Sequence, residues 1–207
     1  ATLPAYFKAG HATEFIGLLL SILVAFVLGM VLTVITGFEE RAEASDQDSC
    51  GTAKEASGTI SLANPVRGTV IPVSEVKDAA FSSKMLGDGV GIIPAEGKVY
   101  APFDGRADVV FPTGHAVGIT GSNGFEVLIH IGLDTVQLEG KGFKTCVIQG
   151  SMIKKGDLLV EFDRELIEKE GYDSTVIYII SNMDAVKELK AVAGNAEAME
   201  DIMTVTR

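Results

Sequence analysis

Residues 115–130 read HAVGITGSNGFEVLIH. Two alternating apolar stretches flank Gly121-Ser122-Asn123-Gly124, the pattern of a β-hairpin around a tight turn. With Ser122-Asn123 as a two-residue loop, His115 faces His130 directly. With Asn123-Gly124 as the loop, the two are diagonal neighbours. Both registers predict the imidazoles on one face of the ribbon, Cβ atoms roughly 5–8 Å apart. The plainer alternative is a coincidental pair of polar residues on an exposed face. The only other histidine is His11.

Similar short runs rich in Val, Ile, Thr and Phe surround this hairpin, separated by Gly, Asp, Asn and Pro. They are Thr69–Val73, Gly91–Ile93, Lys98–Ala101, Ala107–Phe111, Val117–Thr120, Glu126–Ile131, Leu158–Phe162 and Val176–Ile180. Only Asp163–Glu170 and Asp184–Val192 read as short helices. With 23 glycines, 6 prolines and no tryptophan in 207 residues, the chain reads as all-β, an antiparallel sandwich or compact barrel over residues 63–207.

Two neutral imidazoles side by side allow two kinds of chemistry. One ring can act as a nucleophile while the other donates a hydrogen bond, which suits phosphoryl transfer. Alternatively both bind a metal. Two ligands do not fill a zinc site, and no third His or suitably placed Cys is evident, so only a partner-completed site would serve.

Composition and the remaining motifs narrow the classes. With 17 basic and 28 acidic residues the net charge is −11, which argues against a nucleic-acid partner and suits a basic protein. Two cysteines do not make a disulfide scaffold. Cys50 sits beside acids and reads as an incidental thiol, and Cys146 in TCVI reads as a core residue. GDGVG at 87–91 is not followed by a helix, as a dinucleotide fingerprint requires. Lys154-Lys155-Gly156-Asp157 reads as a turn between strands.

The apolar content is uneven along the chain. Phe15 to Phe38 is a run of 24 residues without a charge, about 36 Å as a helix, enough to cross a hydrocarbon core of ~30 Å with some tilt. We expect a transmembrane helix at 15–38. The acidic upstream flank (Glu14) and the length of the run argue against a signal peptide. Residues 39–62 are polar and acidic and read as a flexible tether.

From Asn64 onward the sequence resembles the glucose-type enzyme IIA domain of the bacterial sugar phosphotransferase system. The strings that carry the resemblance are NPVRGTVIPVSEVKDAAFSSKMLGDGVGI, APFDGRADVVFPTGHAVGI, EVLIHIGLDTVQLEGKGF, KKGDLLVEFD and IISNMD. The resemblance implies an antiparallel β-sandwich of barrel-like form. It implies that His130 of HIGLDT is phosphorylated, that His115 orients and supports it, and that Thr113 hydrogen-bonds His115. Phosphate would arrive from the histidine-containing phosphocarrier protein and leave to a cysteine of an enzyme IIB domain. No cofactor or metal is required, because the bond exchanged is already a phosphoramidate. The resemblance also places Phe81 and Phe111 in a shallow apolar depression, with Asp78 and Asp134 at its rim.

In β-glucoside- and sucrose-type permeases the B, C and A domains are fused in that order. Residues 1–38 would then end a membrane transport domain, with the IIA domain on the cytoplasmic side of the inner membrane. Two other readings stand beside this one. A lipoyl- or biotinyl-like swinging-arm carrier needs a modifiable Lys at a hairpin tip, and no such string is present. A regulator that binds partners through the same face is compatible with phosphoryl transfer.

Overall fold

The computed structural model describes residues 59–122 and 124–207. The expected transmembrane helix at 15–38 and most of the tether at 39–62 lie outside them. Among the described residues no helix is long and apolar enough to cross a membrane.

The described part is an all-antiparallel β structure. Strands β1 (Thr59–Ala63), β2 (Gly68–Pro72), β3 (Asp88–Pro94), β4 (Lys98–Tyr100) and β5 (Gly105–Val110) lead into the hairpin strands β6 (Ala116–Gly121) and β7 (Glu126–Ile131). Then follow β8 (Phe143–Thr145), β9 (Met152–Ile153), β10 (Leu158–Phe162), β11 (Val176–Ile180), β12 (Glu188–Ala191), β13 (Gly194–Ala196) and β14 (Asp201–Thr206). Eight of them form one sheet in the order β13-β2-β3-β11-β7-β6-β5-β9. Two three-stranded sheets, β1-β14-β12 and β4-β10-β8, complete the fold. β1 begins inside the stretch assigned to the tether, because Thr59–Leu62 pair with β14.

The main core joins the three sheets. Val117, Ile119, Val127, Ile129, Tyr178 and Ile180 meet Leu62, Val99, Leu159, Val160, Met203 and Val205 there, all at most 2% exposed. Alternation in β6 and β7 sends every second side chain into this core, as a half-buried strand requires. β11 is different, since all five residues of VIYII are buried. Ile177 and Ile179 point away from the main core into a second cluster with Val73, Val76, Phe81 and Leu133.

GDGVG is not a phosphate-binding turn but the start of a strand. Asp88 to Gly91 continue as β3, and the glycines allow close approach. A Cβ on Gly91 would lie 2.7 Å from Cγ2 of Val76 and 3.0 Å from Cγ1 of Ile71. The missing side chain lets the 3-10 turn Val73–Glu75 and the following Val76 lie down on the sheet.

Two expectations are corrected. The helix expected at Asp184–Val192 is a 3-10 turn, Met183–Ala185, followed by β12, which pairs with β14 from Glu188↔Thr206 to Ala191↔Met203. A good local helix pattern loses here to ladder hydrogen bonds that only the tertiary fold offers. Cys146 is exposed rather than buried. It lies just beyond β8, its N–H still donating to Leu159 O of β10 at 2.8 Å. The short helix expected at Asp163–Glu170 is present as α2 (Arg164–Lys169), its N-cap Asp163 accepting from Leu166 N. It is preceded in the chain by α1 (Ala79–Ser82).

Gly91→Ala tests how tightly the outer layer is seated. Overpacking of this kind costs about 1–3 kcal/mol, so the variant should unfold at lower urea with an unchanged denaturant slope. A midpoint equal to wild type would show that the 73–76 segment slides freely over the sheet.

Candidate functional site

The hairpin that carries both histidines has neither of the two expected registers. Ala116 pairs with His130, Val117 with Ile129 and Thr120 with Glu126. Gly121 N donates to Phe125 O at 2.8 Å, which closes a three-residue loop with Gly124 at φ +79°. Three-residue hairpin loops commonly end on such a left-handed residue. Asn182 holds this register from outside: its Oδ1 accepts from Glu126 N at 2.9 Å and its Nδ2 donates to Gly124 O at 3.0 Å. Arg207 also donates to Gly124 O, at 3.1 Å.

By strict alternation this register would point the two imidazoles to opposite faces. They meet nevertheless, with ring centroids 5.0 Å apart and planes at 78°. The reason is that His115 stands just before β6, after Gly114 at φ +69°. Its carbonyl still accepts from Ile131 N at 2.7 Å, but its side chain is released from the strand's alternation.

Each ring has a defined setting. His115 is 5% exposed. Its Nδ1 lies 2.5 Å from Thr113 Oγ1, a bond in which the hydroxyl donates when the ring proton is on Nε2. Phe111 packs on the same ring at 5.1 Å between centroids. His130 lies between Ala116 and Ile177 on the neighbouring strands. Phe81 packs against it at 5.2 Å. Nδ1 of His130 is buried and makes no hydrogen bond of good geometry among the described residues, while the Gly132 backbone beside it favours the protonated ring.

Burial decides the charge state. Loss of solvation pushes the His130 pKa down to about 4, and the neighbouring His115 pushes the same way. Gly132, Asp78 and Asp134 oppose these effects without overcoming them. Burial also lowers His115. Both rings are therefore neutral at pH 7, so one can offer a lone pair and the other a hydrogen.

The rim residues differ from one another. Asp78 caps α1, accepting from Ala80 N at 2.7 Å and Phe81 N at 3.2 Å. Asp134 is exposed in a left-handed turn at φ +57°, just before the 3-10 turn Thr135–Leu138. Phe111 is 40% exposed, but Phe81 is only 7% exposed. Phe81 is thus a wall of the His130 site rather than a free anchor. The sequence reading missed Ile177, which pairs with His130, and the apolar cluster of Val76 and Leu133 that Ile177 shares with Phe81. An uninterrupted apolar run at 176–180 was the available signal, since burial on both faces removes alternation. Among the described residues no group of three or more His, Cys, Asp or Glu could hold a metal ion.

A family model described as "phosphoenolpyruvate-dependent sugar phosphotransferase system, EIIA 1" matches residues 60–186. A β-glucoside-specific EIIBCA component of Halalkalibacterium halodurans is 46% identical over 144 residues, covering 70% of this chain and 22% of that protein. A glucose-specific EIIA component of Staphylococcus epidermidis is 41% identical over 157 residues, covering 76% of this chain and 90% of that one. The chain therefore spans under a quarter of the first relative and most of the second. The solved glucose permease IIA of Mycoplasma capricolum superposes with a TM-score of 0.66 at 35% identity, covering 71% of this chain and 96% of that one.

The neutral histidines make stability depend on pH. His130 binds its proton less readily in the folded chain than in the unfolded one, and His115 acts in the same direction. Their contribution is complete above about pH 6.5. It is lost as the pH falls toward the folded value of about 4, because the unfolded chain takes up the protons first. Denaturation of wild type and His130→Gln at pH 7 and pH 5 should show the smaller acid loss in the variant. Equal losses would place His130 in water.

Proposed function

The chain belongs to the EIIA 1 family of the phosphoenolpyruvate-dependent sugar phosphotransferase system, and on that premise we propose that His130 is the residue that carries the phosphoryl group. The domain is a phosphoryl carrier in sugar uptake, a phosphotransferase component. The observation that carries the residue-level reading is the pair of neutral imidazoles 5.0 Å apart, one of them with Nδ1 buried.

With Nδ1 turned inward, Nε2 of His130 is the nitrogen left to react. Its lone pair attacks the phosphorus of a phosphohistidine on the phosphocarrier protein. The new N–P bond forms as the donor's N–P bond breaks, and the donor imidazole leaves with that electron pair. Thr113 donates its hydroxyl hydrogen to Nδ1 of His115 and so keeps a hydrogen on the opposite nitrogen. That N–H faces the transferred oxygens and holds their charge. A thiolate of an enzyme IIB domain then attacks the same phosphorus, and His130 leaves as the neutral ring. Positioning and electrostatics carry the step, because the bond exchanged needs no further activation.

Docking uses the same surface. Phe111 is the exposed aromatic, and Asp78 and Asp134 lie within reach of the His130 charge. An apolar patch with an acidic rim suits a basic protein: the patch excludes water and the rim steers encounter. The name EIIBCA of the β-glucoside relative supports an attached B and C portion. In this reading residues 15–38 form the final membrane helix, residues 39–58 tether the domain, and the domain works at the cytoplasmic face of the inner membrane.

Incubation with phosphorylated phosphocarrier protein tests the assignment by intact mass. His130→Gln should accept no phosphoryl group, because an amide nitrogen is not a nucleophile. His115→Gln should accept it but pass it on slowly. Phosphorylation of the His130 variant at the wild-type rate would refute the proposal.

A salt series tests the rim. Asp78→Asn with Asp134→Asn should slow association with the phosphocarrier at low salt and flatten its salt dependence, since rim charges act over roughly 8 Å at physiological ionic strength. Identical salt slopes would move the docking face elsewhere. Asn also caps helices, so α1 should survive the change.

A further inference from the structure

The pairing of β5 with β6 contains an irregularity beside the histidines. Gly105↔Gly121, Arg106↔Thr120 and Ala107↔Ile119 pair in one register, and Val109↔Gly118 and Val110↔Val117 in another. Asp108 is the extra residue, a β-bulge. The second register continues beyond the strand, where Phe111 N donates to Ala116 O at 3.1 Å.

The consequence follows from the two-residue period of a strand. In the sequence, Ala107, Val109 and Phe111 alternate as one apolar row. Without the bulge that row would share the face of Ile119 and Val117, which are 2% and 1% exposed in the main core. With it, Ala107 stays in the core at 0% exposure, while Val109 and Phe111 turn out at 45% and 40%. Val110 takes the inward place, packed against the core. Val109 then lies over Gly118, where an added Cβ would come within 3.3 Å of Val109 Cβ. Gly118 pairs with Leu128 and Ala116 pairs with His130, so the turned-out residues lie on the His130 face. Phe111 reaches the His115 ring.

The bulge residue is clamped on both sides. The Arg106 guanidinium bonds its carboxylate. Thr120, which pairs with Arg106 on the neighbouring strand, acts on the same carboxylate, and the Thr120 hydroxyl and the Arg106 guanidinium together hold its pKa below the usual range. A bulge held this way has a fixed position along the strand.

We infer that Asp108, clamped by Arg106 and Thr120, is a positioning residue that builds the β5 side of the docking face by turning Val109 and Phe111 out of the core, Phe111 against His115. The inference rests on the reading of His130 as the phosphoryl acceptor, and it concerns protein partners only. A small phosphoryl donor needs His130 but not the face.

The test uses the full chain and two donors, phosphorylated phosphocarrier protein and phosphoramidate. Removal of Asp108 restores unbroken alternation, and Arg106→Gln with Thr120→Val removes both clamps at unchanged length. Each should slow acceptance from the protein donor about tenfold, the usual scale for loss of an interface anchor. Acceptance from phosphoramidate should stay within about twofold, because His130 is untouched. Asp108→Asn keeps an acceptor for Thr120 and should restore most of the protein-donor rate. The His115 ring protons should lose the upfield shift imposed by Phe111 in the two disruptive variants and keep it in the Asn variant. Unchanged rates with the protein donor would overturn the inference, and so would an equal fall with both donors. If the deletion does not fold, the clamp variant decides by the same criteria. His130→Gln with phosphoramidate is the separate control. Acceptance there would refute the reading of His130 and leave the ratio between donors to judge the bulge alone.

Discussion

The structure depends on a strand that is buried on both faces. β11 lies between β3 and β7, with Tyr178 and Ile180 in the main core and Ile177 and Ile179 in the outer cluster. Such a strand excludes water from its neighbours on both sides. His130 is one of those neighbours, paired with Ile177. The apolar layer formed by Val73, Val76, Phe81 and Leu133 gives the sheet's second face its own small core. The histidine at the edge of that layer is therefore partly dry, which is what keeps it neutral.

A neutral, partly dry imidazole suits a carrier. In water a histidine is protonated part of the time near neutral pH and has no free lone pair in that form. Burial removes this competition, while the nearby carboxylates Asp78 and Asp134 act against it. The site balances these effects. Enough solvation is lost to keep the lone pair available, although Asp78 and Asp134 favour the protonated ring. Phe81, 7% exposed, helps bury His130, while Phe111, 40% exposed, packs on His115 and stays open to solvent.

The relatives place the same domain in two settings. It makes up nearly all of a glucose-specific EIIA component and under a quarter of an EIIBCA component. The M. capricolum glucose permease IIA is covered almost end to end. The domain thus occurs both as nearly a whole chain and as part of a much longer one. Fusion raises the effective concentration of one partner without adding a contact.

The sequence by itself determined the class of the fold, most of its strands and the hairpin that brings the two histidines together. Alternation in Glu126–Ile131 and the turn signal before it were enough to join His115 and His130 in one hairpin. It did not determine the hairpin's register: the two loops it offered within Gly121–Gly124 both gave way to a three-residue one. Asn182, more than fifty residues away in sequence, holds that loop by bonding the backbone on both sides of Phe125. Nor did it determine which way Val109 and Phe111 face, since their alternation with Ala107 points inward and only the bulge at Asp108 reverses it. The helix expected at Asp184–Val192 became a strand for the same kind of reason, pairing with the distant β14. Periodicity is a local property and survives in the sequence. Register, facing and burial are decided by hydrogen-bond partners and packed surfaces that meet only when the chain has folded.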